Sequence, residues 1–205
     1  MTLCLVTDRH RAPVVEQCRD AVRAGIDMIQ VRERDLEAAA LSALVGDLVR
    51  LTRGTSTRVV VNERLDVAIA CGADGVHLRG DSIAVGQARS IAPAGFLVGR
   101  SVHQADEAVR AAPEADYLIA GTVFPTSSKP GLDTLLGLAG LAAIARAVAV
   151  PVLAIGGVSM DRIGPVAGAG AAGVAAIGLF VARGEQLAEV VREARRRFDG
   201  VRSAS

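Results

Sequence analysis

The stretch CGADGVHL at residues 71–78, and its partner GAGAAGVAAI at residues 168–177, decide the fold. In each, a step of small residues leads directly into a short apolar run. The first run is the fourth strand of an alternating pattern and the second is the eighth. A step that recurs four units later favours a sheet that closes on itself, because a barrel repeats its environment around a ring. Outward from these two stretches, short β-branched runs alternate with longer Ala/Leu/Arg-rich segments. The spacing predicts strands over 3–7, 26–31, 58–61, 75–78, 96–99, 117–120, 151–155 and 173–177. Helices are expected between them at 13–24, 36–51, 65–71, 83–91, 104–111, 138–147, 161–167 and 185–198. Eight strand–helix units imply parallel strands joined by right-handed crossovers. An open doubly wound sheet is the rival. It would spread the polar strand ends along a line, whereas a barrel gathers them on one rim. The expected architecture is therefore a single (β/α)8 TIM barrel over residues 1–205, with 201–205 as a frayed tail.

Bulk composition narrows the class. Hydrophobic residues make up 51% of the 205 and aromatics 2%, so the core must be built from Ala, Val, Leu and Ile, as buried parallel strands are. Lys+Arg is 23 against Asp+Glu 22. That balance argues against nucleic acid or an anionic membrane as the main partner and leaves a homo-oligomer open. Cys4, Cys18 and Cys71 are scattered and odd in number, which reads as reduced thiols rather than zinc or a disulfide framework. The N-terminal apolar run is too short for a signal peptide. No run approaches the roughly 18 apolar residues of a membrane span. A cytoplasmic protein is expected.

The chemistry sits after the strands. Gln30, Arg32 and Arg34 alternate after strand two and so share a face. Two guanidiniums there suit bidentate phosphate recognition, although pairing with Glu33 or Asp35 is an equal alternative. After strand three, Asn62 and Glu63 could hold an amide edge and a hard cation, or cap the next helix. After strand four, Asp81 or Ser82 would cap a helix, and a carboxylate there could also join Glu63 around Mg2+. His77, in an apolar run, reads as a core histidine. Ser101 and His103 alternate after strand five, as a nucleophile–base pair without an orienting acid or, more modestly, as a phosphate contact through Ser101. The loop after strand six, GTVFPTSSKPG (121–131), carries Lys129, the only Lys beside 22 Arg. A lone Lys among hydroxyls suits a point-charge phosphate contact. Gly156-Gly157 after strand seven and Ile177-Gly178 after strand eight allow backbone N–H groups to approach an anion. That is the habitual phosphate cradle of such barrels.

These motifs, QVRER (30–34), VNERLDVAIACGADGVHL (61–78), the run 99–131 and VPVLAIGGV (150–158), resemble the thiamine phosphate synthase/TenI family in order and spacing over nearly the whole chain. The resemblance implies coupling of hydroxymethylpyrimidine diphosphate with thiazole phosphate, releasing diphosphate. It implies that Gln30, Arg32 and Arg34 hold the pyrimidine diphosphate, with Arg34 where the family has Lys, and that Asn62 contacts the pyrimidine side. Ser101 and Lys129 would bind diphosphate. Thr126 and Ser128 would bind near the thiazole phosphate, which Gly157, Ile177 and Gly178 would cradle. Glu63 stands where the family has a Mg2+-binding Asp. The second such Asp falls on Ser82, with Asp81 beside it, and Arg79-Gly80 replaces the usual GQ. These departures keep two rivals open. One is a TenI-like thiazole tautomerase with His103 as proton shuttle, although Thr122 replaces that branch's His. The other is a non-catalytic sensor of thiazole phosphate or thiamine phosphate.

Overall fold

The computed structural model describes residues 1–126 and 134–202. The strands are β1 (Thr2–Val6), β2 (Met28–Val31), β3 (Arg58–Asn62), β4 (Gly75–Leu78), β5 (Leu97–Val102), β6 (Tyr117–Gly121), β7 (Val152–Ile155) and β8 (Gly173–Ala176). They pair in parallel, each with the next, and β8 pairs with β1 to close the barrel. The helices are α1 (Val14–Ala24), α2 (Ala38–Thr52), α3 (Leu65–Ala70), α4 (Val85–Ile91), α5 (Ala105–Ala111), α6 (Gly137–Ala147), α7 (Ile163–Gly168) and α8 (Gly184–Arg202).

The two stretches that decide the fold do so for a steric reason. A Cβ on Gly75 would lie 2.4 Å from the Leu97 carbonyl oxygen on β5, and one on Gly173 would lie 1.9 Å from the Thr2 carbonyl oxygen on β1. Both glycines open a strand where its neighbour's backbone comes too close for any side chain.

The core has two parts, as strand alternation requires. Outward-facing residues such as Leu3, Leu5, Val59, Val61 and Val98 pack under the helices. Inward-facing residues, among them Cys4, Met28, Val60, Tyr117, Ile119 and Leu153, fill the barrel. Tyr117 fits because β5 offers Gly99 beside its ring. The free thiols Cys4 and Cys18 are buried, and desolvation pushes each up to about 12.

Three expectations need correction. β5 runs to Val102, past the expected end at 99, so Arg100 and Ser101 belong to the strand itself. A short 3-10 turn, Met160–Arg162, takes the place of the first turn of the helix expected at 161–167, and a second, Gly178–Phe180, follows β8 where no helix was expected. The expected tail at 201–205 begins too early: α8 continues through Arg202, and Val201 packs against the core. No described helix is long and apolar enough to cross a membrane.

Candidate active site

The C-terminal ends of the strands surround a cavity of about 1060 Å3. One wall is cationic. Gln30 on β2 and Arg32 and Arg34 just beyond it all line the cavity, as their alternation predicts. The alternative pairing of these arginines with Glu33 or Asp35 is not what forms. Glu33 is buried and accepts hydrogen bonds from the Thr7 hydroxyl (2.5 Å) and the Arg9 amide (3.1 Å). Asp35 is taken by Arg9 and His10. Among the described residues, neither Arg32 nor Arg34 has a carboxylate partner. Burial lowers the Arg32 pKa, and the charge of Arg34 adds to this, with a further contribution from Arg79. Asp8 and Glu33 oppose that shift, yet the Arg32 guanidinium remains half-buried beside two others, a setting that favours an anionic guest.

The backbone beneath Arg32 is fixed. Its amide donates to Thr7 Oγ1 (3.0 Å), which donates in turn to buried Glu33. Gln30 donates to Asn62 Oδ1 (3.1 Å), while Gln30 Oε1 is buried with no donor among the described residues. Asn62 thus ends β3 and does not cap α3, whose N-cap position is Arg64.

The floor carries a polar relay. His77 on β4 is buried, with Nε2 2.8 Å from Ser101 Oγ and Nδ1 3.3 Å from the Tyr117 hydroxyl. The two rings stack with centroids 5.6 Å apart. Burial, helped by the charge of Arg100, holds the His77 pKa down to about 3, so the ring is neutral. A neutral imidazole has one donor and one acceptor. Burial raises the Tyr117 phenol above its usual range, so it keeps its proton, and its described partner is His77 Nδ1. The Nε2–H then points at Ser101 and leaves the Ser101 hydroxyl proton to face the cavity. Ser101 is therefore oriented by His77 and not by His103. His103 also lines the cavity, but its Nδ1 contacts the Gly121 carbonyl and its amide donates to Glu107 (2.6 Å).

The opposite wall is backbone. Gly156 and Gly157 have φ of 96° and 62°, a region that favours glycine. A Cβ on Gly157 would lie 2.3 Å from the Pro125 carbonyl oxygen. Arg162 donates to the Gly157 carbonyl (2.6 Å) and lies over the Phe124 ring at 4.5 Å, joining the loops after β6 and β7. Ile177 and Gly178 complete this wall, and Thr126 also lines the cavity. Lys129 and Ser128 lie outside the described residues.

The two carboxylates expected around Mg2+ meet a different neighbour. Glu63 does not line the cavity, though Asp81 does. Glu63 Oε1 accepts the Arg79 amide (2.6 Å), and Asp81 pairs with the Arg79 guanidinium. Neither Asp81 nor Ser82 caps α4, whose N-cap position is Ala84. Among the described residues, no group of three or more His, Cys, Asp or Glu could hold a metal ion. Arg79, Arg11 and His77 line the cavity, although the sequence reading gave none of them a role in the site. Arg79, which falls where the resemblance implies GQ, was the one available signal.

A closed (β/α)8 barrel with arginines on one side of its mouth and glycine backbone on the other defines a class: barrels whose rim suits a phosphorylated guest. Comparison names the family within it. Residues 3–180 match the family described as thiamine monophosphate synthase, and the chain belongs to that family. It is 42% identical to a thiamine-phosphate synthase from Methanoregula boonei over 89% of this chain and 85% of that one. It is 44% identical to another from Methanoculleus marisnigri over 82% and 80%. Among solved structures, thiamine phosphate pyrophosphorylase from Pyrococcus furiosus superposes with a TM-score of 0.86 at 35% identity, covering 98% of this chain and 96% of that one.

Proposed function

We propose that this protein is a thiamine-phosphate synthase. It joins hydroxymethylpyrimidine diphosphate to thiazole phosphate and releases diphosphate. The observation that carries this reading is the asymmetry of the mouth: half-buried Arg32 and exposed Arg34, neither with a carboxylate partner among the described residues, line one side, and a glycine-bearing wall lines the other. The difficult step is breaking the C–O bond to diphosphate, which leaves negative charge on the departing group. Preorganised cations in a water-poor site stabilise that charge. Arg32 and Arg34 would take the diphosphate, with Lys129 as a further cationic contact. Ser101, its proton turned outward by neutral His77, would donate one further hydrogen bond. Gln30 Oε1, an acceptor without a donor, suits an amino group on the pyrimidine. The thiazole ring nitrogen then captures the pyrimidine methylene carbon. Its own phosphate, which does not react, would rest on the Gly157, Ile177 and Gly178 backbone.

Magnesium would add charge neutralisation, but the donor set does not fit it. Glu63 does not line the cavity and both carboxylates already serve Arg79, so no step is derived through the metal. The tautomerase rival needs a proton shuttle at His103, whose Nδ1 is held at the Gly121 carbonyl. Buried, unpaired thiols suit a reducing compartment such as the cytoplasm. Incubating the protein with both phosphorylated precursors, with and without Mg2+, should yield thiamine phosphate and diphosphate. A folded barrel that yields neither would overturn the reading. Turnover of carboxythiazole phosphate isomers would select the tautomerase, and tight ligand binding without turnover the sensor.

A further inference from the structure

The turn after β4 is where the chain departs from its own expected chemistry, and the departure centres on Arg79. Its amide is fixed by Glu63 Oε1 (2.6 Å). Glu63 has φ of 68°, a left-handed conformation in a residue that is not glycine. Such backbone persists only where its surroundings over-determine it. Here the Glu63 amide donates to the His77 carbonyl (3.0 Å), the Leu65 amide donates to the Glu63 carbonyl (3.0 Å), and the side chain accepts the Arg79 amide. From the other side, Arg100 on β5 donates to the carbonyls of Gly80 (2.8 Å) and Ile83 (2.6 Å). The base of the Arg79 side chain is thereby anchored between β3 and β5.

Its guanidinium is not so bound. It pairs with Asp81, and both side chains are well exposed, at 41% and 69%. A pair of that kind contributes little, because water screens it. Arg79 lines the same cavity as Arg32 and Arg34. A phosphate there offers a forked, doubly charged acceptor that a single exposed carboxylate does not match. A dication is the poorer occupant. It would have to compete with a guanidinium for Asp81 and with an amide for Glu63, beside three positive charges.

We propose that Arg79 supplies from the chain itself the positive charge that a divalent cation between Glu63 and Asp81 would otherwise bring, leaving Asp81 to hold the guanidinium in reserve until diphosphate arrives. This rests on the reading that the cavity takes a diphosphate. It makes diphosphate binding nearly independent of Mg2+.

Calorimetric titration with inorganic diphosphate, in EDTA and in excess MgCl2, tests it. The natural chain should bind in EDTA, with a Kd that Mg2+ changes by less than about threefold. Arg79→Gly should weaken binding in EDTA by about tenfold to 100-fold, the range for one charge-assisted contact, and should recover affinity with Mg2+ as Asp81 is released. Arg79→Lys, which keeps the charge and loses the fork, should fall between. Matching thermal melts establish that the variants fold. Binding by the natural chain only when Mg2+ is present, or an Arg79→Gly chain that binds normally in EDTA, would overturn the proposal. If the natural chain makes thiamine phosphate yet needs Mg2+ to hold diphosphate, the Arg79 inference fails and the synthase reading stands. If it neither makes product nor binds diphosphate under any condition, both fail.

Discussion

The two walls of the mouth offer an anion different kinds of contact. On the side of β2 to β4, charged side chains on flexible stems face the cavity. On the side of β7 and β8, glycines expose backbone among uncharged residues, and no formally charged residue lines the cavity among the described residues. The first arrangement suits a group whose charge grows and which must leave. The second suits a phosphate that arrives and departs unchanged. Catalysis depends on interactions stronger in the transition state than in the ground state, so the walls should answer differently to mutation. The cationic wall should govern kcat and the glycine wall KM.

The sharpest way to break this contrast is Arg32→Ala. Removing a preorganised, partly buried guanidinium should cut kcat by roughly 10²- to 10³-fold. A change confined to KM would put Arg32 on the wrong side of the division. Lys129→Ala is expected to lower turnover by roughly 10²-fold, and an unchanged rate would remove Lys129 from the mechanism. Gly157→Ala probes the other wall. Its Cβ meets a backbone oxygen, which cannot swing aside, and the left-handed conformation costs about 1–2 kcal/mol for a residue with a Cβ. Steady-state kinetics should show KM for the thiazole phosphate raised about tenfold, with kcat within a few-fold of normal. A large fall in kcat alone would blur the two walls into one.

A separate effect, on stability, tests the floor of the cavity. His77 titrates near 6.5 when unfolded and near 3 when buried. Between those values the unfolded chain binds a proton that the folded chain refuses, so acid favours unfolding. The full contribution of the neutral ring is present above about pH 6.5. It is lost as pH falls toward 3, at up to about 1.4 kcal/mol per pH unit. Urea midpoints measured from about pH 7 down to pH 4 should fall more steeply for the natural chain than for His77→Gln. Parallel slopes would show that His77 is not the group responsible.

The barrel was legible because its cause is local. Each unit repeats the same alternation, and the glycines at 75 and 173 mark where backbones touch. The face shared by Gln30, Arg32 and Arg34 was legible for the same reason, since period-two geometry operates within one strand. The parts that escaped depend on pairs brought together across strands. His77 meets Ser101 only because β4 and β5 are in register, with Leu78 opposite Arg100. Read along the chain, Ser101 and His103 look like the natural couple. Glu63 and Asp81 looked like a metal pair because nothing local to either residue reveals that Arg79 engages both.

The Thr7–Glu33 bracket has a consequence for how this protein meets its ligand. Fixing one residue's backbone costs about 1–2 kcal/mol in lost freedom. The hydrogen bond from the Arg32 amide to Thr7, backed by a buried carboxylate, places that ordering in the act of folding. Arg32 waits in posture, and an arriving anion has only a side chain to still.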